Sequence, residues 1–198
     1  MKLYFSPLAC SLATRISLYE AGIDATFVNA KSAGDEFRAV SPLGLVPVLV
    51  TDDGQIVSEN VAVLQRVARL RPEAGLAPSD PAQLSRLQQW LSFIATELHQ
   101  GVFSPQFDKS APESVKSYAV AKADKRLDWV EHELDSRELL FDRFSVADAF
   151  LYTVLNWTLV TPIELSRWPR VAAFHARVAE RPNVKRAFQE EMTLYQAA

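Results

Sequence analysis

The chain has 198 residues, enough for one large domain or two small ones, and its 48% hydrophobic content can build a real core. With 21 basic against 24 acidic residues the net charge is −3, and no lysine- or arginine-rich run marks a nucleic-acid partner. No segment is long and apolar enough for a membrane span, Met1-Lys2 leads straight into a strand without a signal-peptide core, and one cysteine cannot make an internal disulfide; the expected setting is soluble, reducing and cytoplasmic.

The first 70 or so residues alternate strand and helix signals. Lys2–Phe5 reads as a strand and Ser11–Ala21 as a helix stopped by Gly22. Thr26-Phe27-Val28 is a second strand. Lys31–Val40 is polar and irregular, suited to one loose helical turn. Val46–Val50 and Gln55–Val57 flank Thr51-Asp52-Asp53-Gly54, a hairpin signal, and Ser58-Glu59-Asn60 precedes a third helix with Val61, Leu64, Val67 and Ala68. This order is compact α/β with a mixed sheet. Arg71–Pro78 is rich in helix breakers and reads as a linker, and no convincing strand follows it. Leu84, Leu87, Leu91, Ile94 and Leu98 mark one long amphipathic helix, and residues 112–134 mark another. Ser145-Val146-Ala147-Asp148 is a capping box opening a buried helix that runs to Val160, and Val171–Ala179 and Val184–Leu194 close the chain. The domains are therefore expected at residues 1–73 and 81–198.

Three features of the first domain converge. Cys10 stands at a helix start, where free N–H groups and the helix dipole favour a thiolate; as a lone cysteine it also suits a small apolar filler. Val46-Pro47 heads a strand; a cis bond there would turn the Val46 N–H and C=O outward, where an extended peptide can pair with them, whereas a trans bond is an ordinary strand start. Ser58-Glu59-Asn60 opens a helix: its hydroxyl and free N–H groups suit a carboxylate and Glu59 an ammonium, or the segment is a plain cap. Together they describe a site for a small peptide with a free amino-acid end, a backbone stretch and a group that meets a thiol. Glutathione is such a peptide.

Over essentially its whole length the chain resembles the cytosolic glutathione S-transferases, most closely the bacterial beta class. The matching residues include Met1–Phe5, Ala9-Cys10-Ser11-Leu12-Ala13, Val46-Pro47, Asp52-Asp53-Gly54, Glu59-Asn60-Val61-Ala62, Ile94–His99, Phe144–Ala149 and Ala179–Pro182. The resemblance implies an α/β thioredoxin-like N-terminal domain plus an all-α helical C-terminal domain that carries the acceptor pocket and part of a homodimer interface. It implies that Val46-Pro47 is a cis-proline pairing with the cysteinyl backbone of glutathione, that Glu59 and Asn60 hold the γ-glutamyl group, and that Cys10 and His99 lie near the glutathione sulfur. His99 would donate a hydrogen bond to a sulfur anion or act as general base. Ser11 and Tyr4 are further sulfur partners by analogy with other classes, though core packing suits Tyr4 better. Segment 30–41, the region that in the family helps bind the glycyl end, is shorter than in many beta-class members, and Lys31 is the candidate for that task. Ser92 stands where some relatives have an asparagine reaching across the dimer. Asn60 replaces a more common Gly or Ser, and Gln100 a lysine. Phe103, Phe107, Trp157 and Trp168 could wall an acceptor pocket or belong to the core; His132 and His175 read as solvent-facing or packing residues.

The implied activity is detoxification: conjugation of glutathione, as co-substrate, to a small hydrophobic electrophile. Two other readings stand beside it. One is glutathione-dependent thiol–disulfide exchange, by a monothiol route because Cys10-Ser11-Leu12-Ala13 lacks a second cysteine. The other is a non-catalytic carrier of glutathione or apolar ligands.

Overall fold

The computed structural model describes residues 1–197. Its first half is a four-stranded sheet of β1 (Lys2–Phe5), β2 (Thr26–Asn29), β3 (Val48–Val50) and β4 (Ile56–Ser58), in the order β2-β1-β3-β4. β1 pairs parallel to β2 and antiparallel to β3, in a register that sets Leu3 opposite Leu49 and Tyr4 opposite Val48. The two-residue period of a strand sends alternate side chains to opposite faces. Leu3, Phe5 and Leu49 therefore enter the main core with α1 (Leu12–Glu20) and α3 (Asn60–Leu70), while Tyr4 and Val48 meet Phe37 of α2 (Ala30–Val40) on the other face. The Tyr4 hydroxyl donates to Glu36 at 2.6 Å, which keeps it on the α2 side of the sheet.

Local signals place these elements. α1 ends where Gly22 takes φ +62°; the N–H of Gly22 reaches Tyr19 and that of Ile23 reaches Leu18, a Schellman arrangement that satisfies two terminal carbonyls. Segment 31–40 is more ordered than its polarity suggests. Asn29 caps it by accepting from the Lys31 N–H at 3.0 Å, and buried Phe37 anchors it. Gly34, at φ +55° and ψ −125°, breaks it into two helical pieces, which hid the helical period.

The second half is helical: α4 (Pro81–Phe93), a π-helical segment (Ile94–Phe103), α5 (Ser104–Phe107), α6 (Glu113–Leu134), α7 (Val146–Leu155), α8 (Pro169–Ala179) and α9 (Pro182–Gln196). The expected long helix through Leu84 and Leu98 thus changes register after Phe93. The run to Val160 also divides. α7 is wholly buried and opens with the capping box, in which Asp148 accepts from the Ser145 N–H at 2.8 Å and the Leu140 N–H at 2.8 Å. Beyond Leu155 a short 3₁₀ turn carries Leu159 and Val160 out of the core, 71% and 73% exposed.

The two halves meet along α1, which packs on α7 and α9. Their tightest joint is Leu8, a non-glycine residue at φ +59° in the turn before α1. Its N–H donates to the Glu191 carboxylate at 2.7 Å, and its carbonyl accepts from the Trp157 indole at 3.0 Å. Glu191 is fully buried. Beside it Arg15, 3% exposed, lies between the rings of Phe5 and Phe27 at 4.4 and 4.1 Å. Arg15 donates to Glu190 at 3.1 Å, and its Nε stands 3.2 Å from Glu191, near enough for an ion pair although angled away from a hydrogen bond. Truncating Glu191 leaves the Leu8 N–H without its acceptor, at about 1–3 kcal/mol, while Arg15 keeps Glu190 as its partner. Glu191→Ala is thus expected to lower the melting temperature by roughly 2–12 °C. Glu191→Gln, which keeps an acceptor for the Leu8 N–H, should lose distinctly less; thermal melts of the two variants check this.

Candidate functional site

A cleft of about 920 Å³ opens where the sheet meets the helical domain. Cys10 and the cis Val46-Pro47 bond form its floor. Ser58, Glu59 and Asn60 line it, as do Lys31 and Arg38 of α2, both exposed, and the π-helical segment supplies Thr96, His99 and Gln100. The volume lies in the range of small-molecule sites, about 300–1,000 Å³.

Cys10 sits in the turn just before α1, with its carbonyl held by the Asn60 amide at 3.2 Å. Its thiol donates to the Val46 carbonyl at 3.3 Å and the residue is only 8% exposed. The thiolate expected from its position is not what the surroundings favour. Burial pushes the thiol up to about 12; the backbone N–H groups of Cys10 and Ser11 pull the other way but do not offset it, and the charges of Glu59 and Glu191 add to the rise. Cys10 is thus a neutral hydrogen-bond donor at the cleft floor.

His99 projects from the middle of the π-helical segment, its ring 5.0 Å from that of Trp157 and edge-on to Phe150 at 6.3 Å. Burial lowers its pKa to about 4, so the imidazole is neutral at physiological pH. A general base works best with a pKa near the operating pH. His99 falls about three units short of that and is better suited to donate its ring N–H.

Glu59 carries the clearest backbone signal. Its φ of +67° and ψ of +118° are costly for a residue with a Cβ, and such strain gathers at ligand sites. Its carboxylate does not cap α3, which leaves that charge and the first N–H groups of α3 both open to the cleft.

Other expected site residues lie differently. The Ser11 hydroxyl is fully buried and bonds reciprocally with Ser6, donating to its carbonyl and accepting from its N–H, both at 3.2 Å; it faces the turn rather than the cleft. The Asn60 side chain is also turned inward, accepting from Thr14 at 3.1 Å while it donates to Cys10, so its amide braces the site from behind instead of reaching for a ligand. Ser92 is exposed on α4 and does not line this cleft. Trp168 is 3% exposed and donates to Asp128 at 2.7 Å, which makes it core; Phe103 is fully buried. Trp157 is 8% exposed with its indole spent on Leu8, and Phe107, 47% exposed, covers it edge-on at 5.5 Å. His175 is a packing residue, stacked on Tyr152 at 5.0 Å and bonded to Asn156 at 2.9 Å. Arg38 was missed, although it stands seven residues from Lys31 and a helical reading of that segment would have put both near one face. Thr96, Ser104 and Phe150 also line the cleft without having been singled out.

Among the described residues no group of three or more His, Cys, Asp or Glu side chains is placed to hold a metal, and no helix is long and apolar enough to cross a membrane.

The glutathione S-transferase N-terminal domain model matches residues 9–70, and the glutathione S-transferase C-terminal domain model matches residues 81–177. Glutathione S-transferase GstA of Escherichia coli O157:H7 is 40% identical over 199 residues, covering 96% of this chain and 98% of that protein. BphK, a bacterial GST solved as a ternary complex, superposes with a TM-score of 0.91 at 39% identity, covering 96% of this chain and 99% of that one. A sphingomonad glutathione S-transferase complexed with glutathione gives 0.90 at 36% identity, and the bacterial beta-class enzyme of Sphingomonas chungbukensis 0.88 at 37%, each covering 96% of this chain and 98% of the other. With two domain models in tandem, near-complete coverage and the cleft just described, the chain belongs to the glutathione S-transferase family.

Proposed function

We propose that the cleft binds glutathione and presents its sulfur as a thiolate to a small hydrophobic electrophile. The observation that carries this reading is the convergence of Val46 and Pro47, the strained Glu59 and the Cys10 thiol around one cleft. The support from relatives is the sphingomonad enzyme, whose structure holds glutathione.

Each part of the tripeptide has a chemical counterpart. Glu59 receives the γ-glutamyl ammonium, and the open N–H groups of α3 receive its carboxylate. The cysteinyl backbone pairs with Val46 as an added strand. Lys31 and Arg38 attract the glycyl carboxylate. A peptide N–H arriving at the Val46 carbonyl competes with the Cys10 thiol for that oxygen, and the freed S–H turns to the glutathione sulfur. Lowering a thiol from about 8.5 by two units requires about 2.7 kcal/mol in favour of the anion. A helix terminus contributes about 0.3–1 kcal/mol and a hydrogen bond to a charged group about 1.5–3. The α1 start, Cys10 and the His99 N–H together are sufficient. The thiol proton passes to solvent, the thiolate attacks the electrophilic carbon to form a C–S bond, and a displaced group such as halide leaves with the electron pair. His99, Gln100, Ser104 and Phe150 offer the acceptor an uncharged wall.

The neutral Cys10 weighs against thiol–disulfide exchange, which needs an attacking thiolate. The outer groove of Phe93, Trp129 and Arg126, on the face that carries Ser92, is the surface we assign to a homodimer, and the cytoplasm is the setting we assign to it.

Calorimetry should show glutathione binding, weakened about 10- to 100-fold by Glu59→Ala through loss of one charge-assisted contact. Absence of binding, or equal affinity in the variant, contradicts the reading. In the protein without glutathione, Cys10 should react with iodoacetamide at pH 8 more than about 100-fold more slowly than a free thiol, because its thiolate fraction is so small. Its reactivity should climb about tenfold per pH unit and level off only near pH 12, which mass spectrometry of the alkylated peptide reads directly.

A further inference from the structure

Residues Ile94–Phe103 are wound as a π-helix, in which the Ser104 N–H donates to the His99 carbonyl five residues back. Such segments are rare and gather at functional sites. The register has a geometric consequence. An α-helix turns 100° per residue, so residues five apart stand about 140° from one another around the axis. A five-residue ladder returns them to one face. Two such pairs line the cleft, Ala95 with Gln100 and His99 with Ser104, beside the four-apart pairs Thr96 with Gln100 and Gln100 with Ser104.

Gly101 occupies the middle of this segment, where glycine costs about 1 kcal/mol relative to alanine in an ordinary helix. A Cβ at this position would lie 3.0 Å from the carbonyl oxygen of Thr96, five residues back, and 3.5 Å from Nζ of Lys122 on α6. The first contact is with backbone and tighter than a side chain normally tolerates.

We propose that Gly101 is a positioning residue: by leaving room for the Thr96 carbonyl it holds the segment in its wide register, which brings His99 and Ser104 together onto the cleft wall. The functional consequence rests on the glutathione reading above; the register does not. Alanine at 101 favours the α-register by its own propensity and crowds the Thr96 carbonyl. Slippage to that register parts Ser104 from His99 by about 140° around the axis and turns His99 away from Trp157, while Val46, Pro47 and Glu59 belong to another domain and stay in place.

The test is Gly101→Ala in the full chain, with His99 followed by NMR titration and turnover measured with glutathione and an aromatic halide. The imidazole should titrate at least one unit above its value of about 4, kcat should fall about tenfold or more, and KM for glutathione should stay within about threefold. An unmoved His99 titration in the folded variant overturns the proposal. Should the variant fail to fold, hydrogen-bond scalar couplings in the unsubstituted protein decide: a bond from the Ser104 N–H to the His99 carbonyl supports the proposal, and a bond to the Gln100 carbonyl overturns it. Absence of glutathione binding in the unsubstituted protein would remove the catalytic reading while leaving both register measurements meaningful.

Discussion

The double anchoring of Leu8 is the constraint on which the site depends. One peptide unit of the β1–α1 turn is gripped through its N–H by Glu191 and through its C=O by Trp157. Both partners come from the helical domain, and Leu8 itself sits at a positive φ that a side chain does not favour on its own. Cys10 follows two residues later. The thiol therefore takes its position from a joint between domains and not from its own domain alone. Asn60 braces the same turn from α3 by holding the Cys10 carbonyl, so three elements fix one short stretch of chain. Rigidity of this kind is what a site that must place a sulfur atom requires.

Burial then decides the chemistry. The packing that fixes Cys10 also desolvates it, and desolvation outweighs the helix-start effects that would charge it. The same holds for His99 against Trp157 and Phe150. Two groups that sequence position presents as nucleophile and base become neutral donors. A cleft floored by neutral donors, with the start of a helix beneath, suits an anion that arrives with its ligand. On the reading we propose, the reactive charge sits on glutathione, and Cys10 serves it as a hydrogen-bond donor and not as a nucleophile.

Much of the fold could be read from local signals, because local physics fixes it. The Gly22 stop, the Asp-Gly hairpin and the Ser145–Asp148 capping box each rest on contacts within a few residues. α2 was obscured because Gly34 interrupts its period, and the π-helical segment because apolar spacings of three and four do not reveal where a helix widens. The site was legible as a set of positions and less so as orientations. Ser11 and Asn60 have short polar side chains beside helix starts, and only tertiary contacts decide whether these point out or in. The Leu8 clamp joins residues 149 and 183 positions apart, a separation that no local pattern carries. The cis bond at Val46 was suggested by family resemblance; the residues themselves left both isomers open.

Glutathione is expected to sit in this cleft as its thiolate beside a neutral Cys10. The most direct measurement is the ultraviolet thiolate absorbance of glutathione bound to the protein, followed against pH, with the Cys10→Ala variant as the control that removes the protein's only thiol. The bound sulfur should titrate with its midpoint below pH 7, shifted upward but still present in the variant. A midpoint near the ordinary thiol value of about 8.5 in the unsubstituted protein, or an absorbance that vanishes with Cys10, would contradict it.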